Sequence, residues 1–192
     1  TLDSAGNIID RRAGRISSED AYPVVERLKS VRIPGVETEV RQVKEYRFAV
    51  VMRGEGLAPD IDDTDPQRTG VPPLPANPRS TAATKTADLF DQWIAKARQV
   101  IADQPKANGL TLRGFATDPN LPAFKDAYGL MATCISVYPM YKGVASLVGM
   151  DVIDFPGETP EDEFAALAKV WEAYDFFIIH IKKTDSKGED GD

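Results

Sequence analysis

The stretch DRRAGRIS sets Arg11, Arg12 and Arg15 within one turn of chain, just ahead of an incipient helix. Guanidinium forks match carboxylate and phosphate geometry bidentately, and open backbone N–H groups at a helix N-terminus add to the attraction for an anion. The competing reading is a solvated basic turn that pairs with Asp10 and Glu19. At the other end, TDSKGEDGD spaces Asp185 and Glu189 as D-x-x-x-E, a pattern whose hard oxygens could hold a divalent cation. There the alternative is a solvated acidic tail, a stronger competitor for Glu189 than for Asp185.

Other chemistry-bearing types are scarce. APDIDDTDP contains Asp60, Asp62 and Thr64 as D-x-D-x-T, the spacing of the aspartyl-phosphate motif in haloacid-dehalogenase-type phosphatases. That motif ends an apolar strand, whereas GEGLAP precedes it here, and an EF-hand lacks its glycine and glutamate. These aspartates are therefore expected to shape turns in a solvated loop. His180 is the only histidine, so neither a serine–histidine pair nor a multi-histidine metal site can be built within the chain. Alternation along FFIIHI makes it a satisfied core or face-lining residue. The single cysteine, Cys134, lies in the apolar run GLMATCISV and reads as a small buried hydrophobe.

The elements that must position these residues follow from periodicity. GNIID reads as a short strand, and Ser17 or Ser18 caps a helix whose buried face is Ala21, Val24, Val25, Leu28 and Val31, with Pro23 close to its first turn. VETEVRQV and YRFAVVMRG predict neighbouring strands, and residues 54–80 a long surface loop. An amphipathic helix spans about 84–103, with Leu89, Phe90, Trp93, Ala97, Val100 and Ile101 inward. A strand GLTL precedes Arg113. Beyond it, the apolar runs LMATCISV, MDVI and FFIIHI alternate with helices at 140–148 and 160–174, the second announced by Thr159, Pro160 and Asp162. Short apolar strands separated by helices imply βαβ crossovers and a parallel sheet, whose strands present ligand sites at their carboxyl ends. Thr184 and Asp185 fall at such an end.

The 192 residues are 42% hydrophobic and 28% charged, as in ordinary globular proteins. The net charge of -7 argues against nonspecific nucleic-acid or anionic-membrane binding, and no apolar run approaches the ~20 residues of a membrane span. One cysteine fits a reducing, cytoplasmic setting. The chain opens on Thr1 with sequence that reads as the middle of a domain, so a piece of a longer protein is expected.

DRRAGRIS, YRFAVVMRG, DTDP, ANGLTLRGFAT, YPMYKGVASLVGMDV and YDFFIIHIKKTDSKGEDGD, in that order, resemble the archaeal-type cofactor-independent phosphoglycerate mutases of the alkaline phosphatase superfamily. The resemblance covers nearly the whole chain. It implies an α/β fold: an inserted α+β substrate-binding domain at 1–115, then at 116–192 a βαβαβ portion of a phosphatase-like parallel sheet. It implies interconversion of 3-phosphoglycerate and 2-phosphoglycerate through a phosphoserine, with two divalent cations, Mn2+ or Mg2+. The partners implied are the small-molecule phosphoglycerate and the remainder of the phosphatase-like domain, with no nucleic acid and no membrane.

By the same resemblance Arg11, Arg12, Arg15 and Arg113 bind substrate, Lys142 is catalytic, and Asp185 ligates a metal. Glu189 stands where many members have histidine. The family's serine nucleophile and later Asp-His pair match no position in this sequence, so the chain alone is expected to be inactive. The alternatives are a non-catalytic phosphate-ester-binding or regulatory module, and a related metal-dependent phosphoesterase.

Overall fold

The computed structural model describes residues 1–184, 188 and 191. The chain clusters into two compact units, Thr1–Thr117 and Asp118–Asp192. The whole is a mixed α/β fold with one antiparallel and one parallel sheet.

In the first unit, α1 (Ser18–Leu28) starts at Ser17, whose hydroxyl accepts from the Asp20 amide at 3.1 Å. Glu19 and Asp20 in its first turn complement the positive end of the helix. The helix runs on through Pro23 because Ala21, Val24, Val25 and Leu28 bury one face, which outweighs the amide that proline removes. Strands β1 (Glu37–Gln42) and β2 (Phe48–Arg53) pair antiparallel, with Val40 opposite Val50. Helix α2 (Thr84–Ile101) packs Phe90, Trp93, Ile94, Ala97 and Ile101 into a core shared with α1 and the hairpin. Ala87 and Ile94 join that face, while Leu89 and Val100 stay at its margin. Trp93 is wholly buried, and truncating such a residue to alanine costs about 3–5 kcal/mol.

Two expected strands are absent among the described residues. GNIID makes only an isolated bridge, Leu2 to Ile8, and residues 109–112 are irregular. Leu112 spends its amide and carbonyl on Thr64 of the long loop instead of a strand neighbour. Next to it, the two ends of the unit meet. Asn108 accepts from the Leu2 amide at 2.7 Å and donates to the Leu2 carbonyl at 3.0 Å. Gly109 permits this approach, since a Cβ there would lie 2.5 Å from Leu2 Cγ.

The second unit opens with α3 (Phe124–Tyr128), which periodicity did not announce. Then come β3 (Ala132–Ser136), α4 (Pro139–Leu147), β4 (Asp151–Val152), α5 (Pro160–Val170) and β5 (Phe176–His180). The strands are parallel in the order β4-β3-β5, so the chain forms the expected βαβαβ unit. Central β3 is buried at all five residues, as a strand covered on both faces requires. Thr159 and Asp162 exchange the two bonds of a capping box at the start of α5. That helix ends at Val170 in a 3-10 turn, Trp171–Ala173, short of the expected limit.

Candidate functional site

The arginine turn of the first unit is backbone-strained and braced. Ala13, Gly14 and Arg15 all have positive φ, at 50°, 63° and 50°. For alanine and arginine this costs roughly 1–2 kcal/mol each. Asp10 holds the turn by accepting from the amides of Arg12, at 2.7 Å, and Gly14. Those bonds, led by Arg12, keep the Asp10 carboxyl below its ordinary range. Of the amides expected to meet an anion, those of Arg12 and Gly14 are taken by Asp10, and that of Asp20 by the Ser17 hydroxyl.

Arg11 is committed as well. Its Nε and Nη2 donate to the two oxygens of Asp65 at 3.0 and 2.6 Å. Arg113, from the far end of the unit, places Nη1 3.6 Å from the same carboxylate and donates Nε to Asp63 at 3.3 Å. Asp63 also accepts from the Gly114 amide at 2.9 Å. Between the two acids, Thr64 is fully buried: Leu112 donates to its hydroxyl at 2.7 Å, and its own amide donates to the Leu112 carbonyl at 2.9 Å. The bidentate bond to Arg11 pulls the Asp65 carboxyl down and raises the guanidinium further. Arg12 and Arg15 sit on the same strained turn, so all four candidate substrate-binding arginines belong to this unit. Sequence reasoning reached Asp60 and Asp62 but assigned nothing to Asp63 or Asp65. The legible signal was the acid–threonine–acid triplet: a buried threonine would turn both flanking carboxylates the same way. Asp62, by contrast, pairs with Arg79 on the surface, as a turn-shaping aspartate would.

In the second unit, polar groups gather where the parallel strands end. Ser136 closes β3 and His180 closes β5, paired in register. Lys142, in the first turns of α4, lies 3.0 Å from Asp154, just beyond β4. Its neighbour Tyr141 stacks on His180. Of the two expectations for His180, satisfied core or face-lining, the first does not hold, because its Nδ1 is buried without a hydrogen-bond partner. Glu163 of α5 is 1% exposed, and neither carboxylate oxygen makes a hydrogen bond of normal geometry. Burial drives its carboxyl up, against the opposing influence of the Val137 amide and His180. Cys134 is buried and its thiol pushed up by desolvation, the state of an inert packing residue. Asp185 and Glu189 lie outside the described residues, among which no cluster of three or more His, Cys, Asp or Glu could hold a metal.

Fold and site together define a mixed α/β protein with a carboxylate-braced arginine cluster in one unit and a lysine at the C-terminal edge of a parallel sheet in the other. Residues 1–107 match the family model described as 2,3-bisphosphoglycerate-independent phosphoglycerate mutase, and the chain belongs to that family. A relative from Aquifex aeolicus (strain VF5), named "Probable 2,3-bisphosphoglycerate-independent phosphoglycerate mutase", is 45% identical over 96% of this chain and 47% of its own length. One of the same name from Deinococcus radiodurans is 47% identical over 100% of this chain and 48% of its own. The solved cofactor-independent phosphoglycerate mutase from Thermoplasma acidophilum DSM 1728 superposes with a TM-score of 0.65 at 25% identity, covering 93% of this chain and 51% of that one. The chain thus spans about half the length of the curated relatives it matches.

Proposed function

We propose that the full-length protein interconverts 3-phosphoglycerate and 2-phosphoglycerate in the cytoplasm, through a phosphoserine whose serine matches no position of this chain. The observation that carries the reading is the meeting of Arg11 and Arg113, from opposite ends of the first unit, on the single carboxylate of Asp65. Arg12, Arg15 and Arg113 bind the anionic groups of the phosphoglycerate, with Arg11 bracing the cluster and offering its remaining donors. Lys142 neutralises charge developing on the transferring phosphoryl oxygens. Asp185 and Glu189 would hold divalent metal through carboxylate oxygens, a donor type suited to Mn2+ and Mg2+. Bound there, the metal would supply Lewis-acid stabilisation of phosphoryl charge.

A mutase assay of the full-length protein, with and without chelator, tests this reading. Turnover should be lost with chelator and in Asp185→Ala, and should fall sharply in Arg15→Ala. Full activity in either variant removes that residue from the site. The isolated 192-residue chain should show no turnover of 3-phosphoglycerate, and measurable turnover would refute the assignment of the nucleophile elsewhere.

A further inference from the structure

We propose that Asp65 is a positioning residue for substrate binding: a fixed carboxylate that sets the spacing and facing of Arg11 and Arg113. The inference rests on the reading of those arginines as substrate-binding, and adds a residue that their chemistry alone did not require. Two roles are open to a carboxylate lodged in an arginine cluster. It can be a placeholder that leaves when a ligand anion arrives, or a permanent part of the frame.

The surroundings of Asp65 select the second. Its side chain is 6% exposed, and Oδ1 also accepts from the Gln67 amide at 2.9 Å. The preceding residue, Thr64, is buried and bound to Leu112 through both backbone and hydroxyl. Swinging the carboxylate out would break its bidentate, charge-assisted bond to Arg11 and its bond to the Gln67 amide together.

The donor arithmetic gives the frame a direction. A guanidinium has five N–H donors. Arg11 gives Asp65 the edge formed by Nε and Nη2, and Arg113 gives Nε to Asp63 with Nη1 toward Asp65. Arg11 Nη1 and Arg113 Nη2 are the groups that neither aspartate claims. Arg11 and Arg113 are each balanced by an aspartate, so these two select a ligand through the geometry of their remaining donors, which lysine cannot reproduce.

The test uses the full-length protein with 3-phosphoglycerate. Asp65→Asn should raise KM by about ten-fold or more with a smaller change in kcat, and Asp65→Glu should recover part of the loss. In an Arg11→Ala, Arg113→Ala background the same Asp65→Asn change should raise KM by less than about three-fold, because its targets are gone. Additive effects, or an unchanged KM in Asp65→Asn while Arg113→Ala raises it, would overturn the positioning role and leave the arginine reading intact. An unchanged KM when Arg11 and Arg113 are removed together would sink that reading, and this inference with it. Should Asp65→Asn fail to fold, the wild-type protein decides by NMR. The Nε–H signal of Arg11 should stay protected from exchange on saturation with 3-phosphoglycerate, and its loss of protection would show a displaced placeholder.

Discussion

The imidazole of His180 lies flat against the phenol ring of Tyr141, with ring centroids 3.4 Å apart and planes inclined by 22°. One residue on, Lys142 reaches Asp154. Consecutive residues of α4 are thus held by groups at the ends of two different strands, β5 and β4. This cross-bracing places Lys142 at the sheet edge, and it gives a first prediction.

In the full-length protein, Lys142→Ala should lower kcat by about a hundred-fold or more, as expected for loss of a charge that acts on the transferring group. Asp154→Asn should change kcat by only a few-fold, because Asp154 is 93% exposed and such a pair contributes about 0–1 kcal/mol. Steady-state kinetics with circular dichroism as a folding control would check both. Equal losses in the two variants would mean that the ion pair, not the lysine, matters.

Glu163 supplies a stability prediction with a defined pH sense. Its folded-state value lies above the ordinary 4.5, so the folded state binds the proton more tightly than the unfolded chain does. The cost of the buried charge is absent below 4.5 and grows as pH rises through the folded value. Glu163→Gln should therefore stabilise the protein near about pH 7, by an amount on the order of 1 kcal/mol, and do little near about pH 4. Thermal melts at both pH values decide it, and destabilisation at neutral pH would contradict the orphaned state of the carboxylate.

Asp65 titrates in the opposite sense. Its folded value is depressed below the ordinary 3.8, so its stabilisation is present above that value and disappears as pH falls through the lower one. Acid unfolding of the wild type should be steeper below about pH 4 than that of Asp65→Asn, which has no carboxyl to titrate there. Parallel acid-melting curves would show that the pair with Arg11 does not contribute.

Gly109→Ala should destabilise the protein by about 1–3 kcal/mol through overpacking, since the new methyl would meet the Leu2 side chain. Leu2→Ala should relieve part of that loss, so the double variant should be more stable than the sum of the two single effects predicts. Chemical denaturation of the three variants provides the measurement. Strict additivity would place the strain elsewhere.

Features written in local chemistry were legible in the sequence. The Thr159–Pro160–Asp162 signature marked the start of α5 because a capping box closes within four residues. The apolar runs of β3 and β5 announced the parallel sheet; β3, covered on both faces, leaves no polar alternation, while β5 at the edge is only partly buried. What escaped was long-range. GLTL has strand composition, but the partner that claims its backbone is Thr64, 48 residues away in sequence. For the same reason no spacing rule could assign Asp65 to Arg11, and Asp10 occupies two of the amides of the arginine turn, those of Arg12 and Gly14. Asp185 and Glu189, expected from the sequence as metal ligands, both fall outside the described residues.

The clasp between Leu2 and Asn108 has a topological consequence. A unit whose first residues and residues 106 positions later are hydrogen-bonded to each other is closed on itself, so loosening either segment frees the other. The same proximity makes it a natural subject for circular permutation: a short linker can join the two ends and new termini can be opened at an exposed turn, with the arginine frame left unbroken.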